Sequence, residues 1–303
     1  MRGAPPGAPV PPAHDDLPQQ LLLSRLTTGQ LLSATVAATA KAFNDAEFRV
    51  FSQNGEDGLI DFLIRRCAIA PQTFVEIGVE TYEEANTRFL AEHRRWSGVI
   101  VDSNPNLAQD LRRTKLDWRS QVRAVSAFVT SENVRALLAP VVDVQPIGLL
   151  SVDIDGVDFW ILRELLWLQP AMVIVEYNAL FGPTATVTVP YDPAFDRTRP
   201  EFHNVYYGAS LGAFAHLLGD AGYALVGCVD AGSNAFFVHR SRLHEIPEMT
   251  VAAAYRPRRF VEHRDLSGAL TLSANPTVQL TDIAGLPLVD VVGGRSLTVA
   301  DVL

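Results

Sequence analysis

The chain has 303 residues, of which 48% are hydrophobic and 19% are charged, enough apolar residues for one large core or at most two modest ones. Its formal net charge of −9 argues against nucleic-acid partners, which require Lys and Arg clustered on one face. The two cysteines, Cys67 and Cys228, lie far apart, which is weak evidence for a disulfide or an oxidising compartment. We therefore expect one main domain with appendages, buried thiols and no nucleic-acid partner.

Two N-terminal segments precede the main domain. Residues 1–20 are rich in Pro, Ala and Gly and lack the apolar run and cleavage site of a signal peptide, which predicts a disordered tail. Residues 21–47 form a helical extension, because leucines between Leu21 and Val36 recur at helical spacing. Ser24, Arg25 and Lys41 interrupt this stretch, so it is not a membrane-spanning helix. We expect a cytoplasmic protein with no membrane partner, in which this helix is a candidate homodimer element.

In residues 48–240, short apolar runs alternate with helical segments. The first helix, over residues 58–64, is entered through the polar stretch 52–57. The later runs are apolar on both faces, which is typical of a parallel sheet covered by helices on both sides. The predicted fold class is therefore α/β with a doubly wound sheet. The predicted strands are 73–78, 98–102, 122–128, 148–153 and 172–176, and the predicted helices between them are 83–92, 106–115, 131–138 and 157–166.

The alternation stops after the fifth strand. Residues 177–207 contain four prolines and no clear period, and a long loop at this end of a parallel strand is typical of a lid or an acceptor-binding loop. A helix over 210–221 and strands over 223–229 and 234–239 follow. Only four residues join these strands, so they form an antiparallel pair that completes a seven-stranded sheet. Residues 241–303 are a C-terminal extension with candidate edge strands at 278–280 and 286–289.

The tip of the first strand has the form of a nucleoside-binding turn. Glu76 supplies an acidic side chain, and Gly78 lets the backbone approach a ligand closely. The alternative is a glycine that closes an ordinary turn. Glu80 lies in the segment where dinucleotide sites have further glycines, so the pattern indicates a ligand without phosphates. We assign all three residues to cofactor binding.

The tips of the second and third strands supply further cofactor candidates. Asp102 ends the second strand, where a carboxylate can accept both hydroxyl hydrogens of a ribose. Alternatively, Asp102 or Ser103 caps the following helix. We place Ser103, and Ser126 of the third strand, in the same cofactor-binding set.

Acidic residues concentrate at the ends of the fourth and fifth strands. Asp153, Asp155 and Asp158 follow one strand and Glu176 ends the next, and such charge requires a cationic cofactor, a divalent cation or raised carboxyl pKa values. We assign Asp153 to the cofactor. Oxygen ligands from Asp155, Glu176 and Asn178 would suit Mg²⁺. The alternative is that Asp155 and Asp158 cap the following helix while Glu176 accepts hydrogen bonds from loop amides.

Two residues are candidate general bases toward an acceptor hydroxyl. Neighbouring carboxylates would raise the pKa of Asp158 toward neutrality, where a base acts efficiently. His203, in the long loop, is the other candidate. A lone histidine in a loop is more often a surface residue, so both candidates remain open.

An ordered series of motifs over residues 50–240 resembles the FkbM-like methyltransferases, which use S-adenosylmethionine (SAM). The resemblance implies the Rossmann-like sheet of class I methyltransferases. It also implies that the first-strand acid and glycine and the second-strand acid hold SAM, and that a hydroxyl of a sugar or a secondary metabolite receives the methyl group. The motifs are SQNGED at 52–57, FVEIG at 74–78, NTRFL at 86–90, WSGVIVD at 96–102, SVDIDGVDFW at 151–160, EYN at 176–178, YGAS at 207–210 and NAFFV at 234–238.

A more distant likeness to the macrocin O-methyltransferases implies a magnesium ion near the fourth and fifth strand tips. Their pattern places metal-binding acids at Asp155 and Glu176, whereas this chain has Asn178 and Asp158 where those enzymes have a second acid and a catalytic histidine. The expected partner is a small-molecule or glycan acceptor. Because the cofactor turn is poor in glycine, the alternative is a catalytically degenerate module that binds a nucleoside or a protein partner.

Overall fold

The computed structural model describes residues 17–142, 146–259, 262–271 and 275–302. Most of the predicted tail over residues 1–20 lies outside this part, and residues 17–20 begin the first helix. The helices are α1 (Leu17–Thr39), α2 (Glu56–Arg66), α3 (Leu107–Thr114), α4 (Leu116–Arg119), α5 (Val134–Leu138), α6 (Asp158–Leu165), α7 (Leu211–Asp220), α8 (Val251–Ala254) and α9 (Pro276–Asp282). The strands are β1 (Thr73–Ile77), β2 (Ser97–Asp102), β3 (Val122–Ser126), β4 (Leu149–Val152), β5 (Met172–Glu176), β6 (Val187–Thr188), β7 (Tyr223–Cys228), β8 (Asn234–His239), β9 (Pro287–Asp290) and β10 (Arg295–Thr298).

Seven strands form the main sheet, in the order β3-β2-β1-β4-β5-β8-β7. Strands β1 to β5 run parallel, whereas β8 runs antiparallel to both β5 and β7. This architecture confirms the predicted doubly wound α/β sheet with a C-terminal antiparallel pair. β4 and β5 are buried along their whole length, which explains why their sequences are nearly continuous apolar runs.

The predicted helix over residues 83–92 is wrong in its first half, since helical structure begins only at residue 88. Residues 82–87 form a loop, and a short π-helical turn (Leu90–Arg94) ends the segment. The backbone N–H groups of Asn86 and Thr87 donate hydrogen bonds to the carboxylate of Glu76, at 2.8 and 3.0 Å. A helix that began at residue 83 would not leave these N–H groups free to reach β1.

The C-terminal extension contributes to a second sheet of three strands, in the order β10-β9-β6. Strand β9 confirms the predicted strand at 286–289, but it lies between β10 and β6 and not at an edge. Its pairing with β6 attaches the extension to the long loop 177–207. The predicted strand at 278–280 is wrong, since these residues lie in α9. The side chain of Asn275 caps this helix by accepting the N–H of Thr277, and Pro276 occupies the first turn, where an N–H is not needed.

Helix α1 packs on the core through one face only. Oγ of Ser33 donates a hydrogen bond of 2.8 Å to the buried carboxylate of Asp61, which also pairs with Arg65 and Arg94. Leucines on the opposite face are exposed, and the predicted homodimer contact would involve them. No helix in the described part of the chain is long and apolar enough to cross a membrane.

One buried carboxylate holds the segment before α2. Oδ2 of Asp57 accepts hydrogen bonds from the backbone N–H groups of Val50, Phe51 and Ser52, at 2.7, 2.7 and 2.8 Å. The hydroxyl of Ser52 donates a further bond of 2.8 Å. Burial raises the pKa of this carboxyl to about 6, although the donors oppose the rise. The resulting turn places Gln53 at the cleft described below.

Replacing Asp57 with alanine would leave three buried backbone N–H groups without their acceptor. Since each such group costs about 1–3 kcal/mol, we expect Asp57→Ala to lower the free energy of unfolding by roughly 3 kcal/mol or more. Urea denaturation followed by circular dichroism measures this change. Asp45→Ala is the matched control, because Asp45 accepts the N–H groups of Lys41 and Ala42 at the surface. Equal losses in the two variants would contradict this explanation.

Candidate active site

A cleft of about 420 Å³ opens at the carboxyl ends of the parallel strands, where sheets of this kind bind ligands. Its walls come from the loops after β1 to β5, from residues 192–197 of the long loop and from Arg258 of the C-terminal extension. Of the predicted site residues, Ser126, Asp158, Asn178 and His203 do not line the cleft. The predicted residues that do line it are Glu76, Gly78, Glu80, Asp102, Ser103, Asp153, Asp155 and Glu176.

Glu76, at the tip of β1, is buried and organises the loop that follows. One carboxylate oxygen accepts the N–H of Asn86, and the other accepts both the N–H and the hydroxyl of Thr87. Burial raises the pKa of this carboxyl to about 7, while the three donors oppose the rise. The carboxylate therefore positions the wall of the cleft, and Asn86 itself lines it.

Gly78 allows the tips of β1 and β4 to meet. Its φ is +85°, and a Cβ atom at this position would lie 1.6 Å from the carbonyl oxygen of Asp153. Both the left-handed backbone and the close approach require glycine. This glycine therefore shapes the floor of the cleft through the packing of two strands.

Asp102, at the tip of β2, holds the turn after β1. Its Oδ2 accepts the N–H groups of Val79 and Glu80, at 2.9 and 2.7 Å, and its Oδ1 accepts that of Asn104 at 2.8 Å. The turn places Glu80 at a φ of +49°, a conformation that costs roughly 1–3 kcal/mol for a residue other than glycine. Hydrogen bonds to Asp102 stabilise the turn without glycines, and Oδ1 retains a lone pair for one ribose hydroxyl.

An aromatic side chain lines the cleft beyond β3. This strand ends at Ser126, two residues before its predicted end. Phe128 consequently leaves the sheet, is 57% exposed and lines the cleft together with Ser103. An exposed ring in such a place offers a flat apolar surface on which a nucleobase can stack.

Three carboxylates meet at the tips of β4 and β5. One oxygen from each of Asp153, Asp155 and Glu176 lies within 4.8 Å of the others. Two arginines lie among them. Nη1 of Arg258 is 2.9 Å from Oε1 of Glu176, and Arg197 pairs with Asp155. The cluster therefore already contains two compensating positive charges.

One negative charge in this cluster has no partner. Within the described part of the chain, the carboxylate of Asp153 makes no hydrogen bond and no ion pair. Burial, and then the nearby carboxylates of Glu176 and Asp155, raise its pKa well above the ordinary value. Among the described residues, Oε2 of Glu176 and Oδ1 of Asn234 are also buried without a donor, on the adjacent strands β5 and β8. A bound ligand with hydrogen-bond donors could pair with these oxygens.

The residues present do not fit the predicted magnesium site. Nδ2 of Asn178 donates to the carbonyl oxygens of Val205 and Tyr207, at 2.9 and 3.0 Å. Its Oδ1 accepts the N–H of Leu180 at 3.1 Å. The amide thus braces the long loop, while the other two predicted ligands are paired with guanidinium groups. Mg²⁺ prefers an octahedral set of oxygens and water, and here arginines contact those carboxylates instead.

Neither predicted base reaches the cleft. Asp158 is buried at the start of α6, where its two oxygens accept the N–H groups of Ile154 and Gly156 at 2.8 and 2.9 Å. Burial raises the pKa of this carboxyl to about 6, but its oxygens hold the turn before α6 and do not face the cleft. His203 lies elsewhere, with Nδ1 hydrogen-bonded to the carbonyl oxygen of Arg264.

Among the residues of the cleft that escaped the sequence analysis are Phe128, Arg197, Arg258 and Asn234. The excess of carboxylates signalled that cations would lie nearby, but not which ones. Arg197 comes from a loop without periodicity, and Arg258 lies in a short basic run far along the chain from β5. Only the folded chain brings them to the strand tips.

Comparisons with known proteins find structural neighbours. No protein-family model and no curated protein matches the sequence. A methyltransferase from Podospora anserina bound to S-adenosylhomocysteine (SAH) is similar at 12% identity and a TM-score of 0.38, over 77% of this chain and 99% of that one. A putative O-methyltransferase from Klebsiella pneumoniae is similar at 13% identity and a TM-score of 0.40, over 70% and 87% of the two chains. The O-methyltransferase from Bacillus cereus in complex with SAH is similar at 13% identity and a TM-score of 0.39, over 71% of this chain and 89% of that one. At such low similarity, the function must be argued from the chain's own motifs and cleft.

The acidic cluster makes stability depend on pH. Burial raises the pKa of Glu176 from 4.5 to about 7, although Arg258 opposes the rise. A carboxyl group whose pKa is higher in the folded than in the unfolded state stabilises the fold fully when the pH is below its unfolded-state pKa. This stabilisation is lost as the pH rises through its folded-state pKa. We therefore expect the unfolding free energy of Glu176→Gln, relative to the unmodified protein, to increase between pH 4.5 and about 7.

Urea denaturation at a series of pH values, without ligand, measures this difference. Glu84→Gln is the matched control, because Glu84 also lines the cleft but pairs with Arg49 at the surface. The unfolding free energy of the control should differ from that of the unmodified protein by a constant amount at every pH. A constant difference for Glu176→Gln as well would contradict the raised pKa of Glu176.

Proposed function

We propose that the chain is a SAM-dependent methyltransferase that holds SAM in the cleft at the carboxyl ends of β1 to β5. The unpartnered carboxylate of Asp153 carries the proposal. Three carboxylates and two guanidinium groups leave one net negative charge at this point. SAM carries one net positive charge, and its ammonium group has N–H donors for the carboxylate of Asp153 and the unpaired oxygen of Asn234.

The other half of the cleft suits the adenosine part of SAM. Oδ1 of Asp102 can accept one ribose hydroxyl, and the exposed ring of Phe128 provides a surface for the adenine. The turn after β1 has no glycines beyond Gly78 to cradle a pyrophosphate, which agrees with a nucleoside that lacks phosphates.

We further propose that the acceptor is a hydroxyl of a sugar or another hydroxylated small metabolite, as the FkbM-like motifs imply. Bound SAM supplies an electrophilic methyl group on its sulfur. Glu176 is our candidate base, since Oε2 has no partner among the described residues and the pKa of about 7 suits proton removal near neutral pH. Arg258 contacts the other oxygen and holds the carboxylate in place. Asp192 and Arg197 of the long loop line the cleft and offer hydrogen bonds to further hydroxyls.

A catalytically degenerate module that binds a nucleoside or a protein is the second candidate. Its support is that two backbone amides already occupy Oδ2 of Asp102, and that arginines already neutralise two of the three carboxylates. A module of this kind would retain the cleft without transferring a methyl group. Binding and turnover therefore have to be measured separately.

Calorimetric titration of the purified chain with SAM tests the cofactor site. Loss of a charge-assisted hydrogen bond costs about 1.5–3 kcal/mol, so we expect Asp153→Asn to weaken SAM binding roughly ten- to hundredfold. Asp192→Asn is the control, because Asp192 lines the same cleft but pairs with Arg199 in the loop. If the unmodified protein does not bind SAM, the proposed function fails. If both variants bind SAM equally well, the role of Asp153 is refuted but the proposed function is not.

Release of SAH in the presence of a panel of sugars and hydroxylated metabolites tests methyl transfer. With an accepted substrate, kcat/KM should rise with pH as Glu176 loses its proton, with an apparent pKa near 7. Because general-base catalysis contributes roughly 10²- to 10⁴-fold, Glu176→Gln should lower the rate by this factor and abolish the rise.

The same assay addresses the metal. Added Mg²⁺ should leave the rate unchanged, because guanidinium groups contact the carboxylates that would bind the ion. A rate that requires Mg²⁺ would restore the magnesium site implied by the macrocin enzymes.

The control for the base is Glu84→Gln, which should keep the pH profile of kcat/KM of the unmodified protein. If Glu176→Gln also keeps this rise of kcat/KM with pH, the base is another group.

A further inference from the structure

A cluster of two histidines and an aspartate lies outside the cleft and has no part in the proposed reaction. His203 comes from the long loop, His263 from the C-terminal extension and Asp282 from the end of α9. One potential ligand atom from each lies within 4.8 Å of the others. The two imidazole rings stack, with centroids 5.5 Å apart and planes inclined by 12°.

Each histidine makes a hydrogen bond through Nδ1. Nδ1 of His203 is 2.7 Å from the carbonyl oxygen of Arg264, which can only accept, so Nδ1 carries the hydrogen. Nδ1 of His263 is 2.6 Å from Oγ1 of Thr271, a hydroxyl that also lies 3.3 Å from the carbonyl oxygen of His263 and can donate to it. With a hydrogen on each Nδ1, both rings offer a lone pair on Nε2. Nδ1–H bonds of this kind orient histidines that bind metals.

The backbone holds the two rings in place. The N–H of Arg264 donates to the carbonyl oxygen of His203 at 3.1 Å, and the N–H of Thr271 donates to that of His263 at 3.0 Å. The segment 263–271 thus pairs with the long loop on one side and with itself on the other. The cluster is built from three segments that are distant in sequence.

Nε2 of His263 faces the carboxylate of Asp282 without a hydrogen bond between them. The residue is only 3% exposed, and within the described part of the chain this nitrogen has no hydrogen bond. It lies 3.1 Å from Oδ2 of Asp282. A nitrogen lone pair that faces a carboxylate oxygen at this distance is repulsive unless a cation lies between them. A proton would bridge only these two atoms, whereas a metal ion would also bind Nε2 of His203.

We propose that His203, His263 and Asp282 bind one Zn²⁺ ion, through Nε2 of each histidine and a carboxylate oxygen, with water in a fourth position. Imidazole and carboxylate are zinc ligands, and bonds of about 2.0–2.1 Å in a tetrahedron place ligand atoms roughly 3.4 Å apart. The atoms of His263 and Asp282 already meet this spacing. His203 requires only a small side-chain movement, because its ligand atom lies within 4.8 Å of the other two.

The ion would fasten the C-terminal extension to the long loop. These are the segments that supply Arg258 and Arg197 to the acidic cluster. His263 follows Arg258 closely in sequence, so the ion would limit the movement of the arginine that contacts Glu176. This role is structural, and none of the three ligands lines the cleft.

Calorimetric titration of the full chain with ZnCl₂, after removal of metals with EDTA, tests the site without SAM. We expect one ion per chain and a higher Tm in the presence of Zn²⁺. Asp282→Asn and His203→Gln should each weaken binding by roughly tenfold or more. His216→Gln is the matched control, since His216 forms a surface pair with Asp220 at 3.8 Å without a third ligand.

Substitution with Co²⁺ provides a readout that needs no variant. Visible absorption of a tetrahedral Co²⁺ ion with nitrogen and oxygen ligands would support the site. No Zn²⁺ binding by the unmodified chain would overturn the proposal and leave His263 paired with Asp282 alone. Zn²⁺ binding that persists in both ligand variants, or a thiolate-to-Co²⁺ band from Cys67 or Cys228, would also overturn it. Failure of SAM binding would leave this result unaffected.

Discussion

The cleft depends on buried carboxylates that accept backbone N–H groups. Loops at the carboxyl edge of a sheet have no ladder or helix to pair their amides, so these groups need other acceptors. Glu76 serves the loop 82–87, Asp102 serves the turn after β1, and Asp158 serves the turn before α6. Asp57 does the same for the segment before α2. Acidic side chains that would suggest catalysis by their type are therefore mostly parts of the framework.

This construction has an electrostatic cost. Burial raises the pKa of several of these carboxyls toward neutrality, and the cluster around Asp153 adds repulsion between like charges. Arg197 and Arg258 offset two of the charges from outside the sheet. The remaining charge is placed where a parallel sheet binds its ligand. Local instability of this kind is common at binding sites, because the ligand supplies the missing interaction.

The long loop and the C-terminal extension together form one side of the cleft. Strand pairing between β6 and β9 joins them, and the pairing of His203 with Arg264 joins them again. Each contributes one arginine to the acidic cluster. The extension therefore belongs to the site, although its sequence shows no periodic pattern that would have suggested so.

The sequence determined the sheet. Strands β1 to β5 were predicted within a few residues, because burial on both faces requires runs of apolar side chains that are visible locally. The strand tips that line the cleft followed from the same pattern, since parallel strands bring their carboxyl ends to one edge. Glu76, Gly78, Asp102, Asp153, Asp155 and Glu176 were all placed there correctly.

The tertiary structure decided what each of these side chains does. The first half of the helix predicted at 83–92 does not form, because Glu76, on a different element, accepts the amide N–H groups of Asn86 and Thr87. Asp158 and Asn178 have suitable chemistry for a base and a ligand, but backbone groups brought close by folding engage them. The partners of a polar group are set by contacts between distant segments, and residue type and spacing do not record them. Burial of apolar side chains leaves a local pattern, whereas the pairing of charges does not.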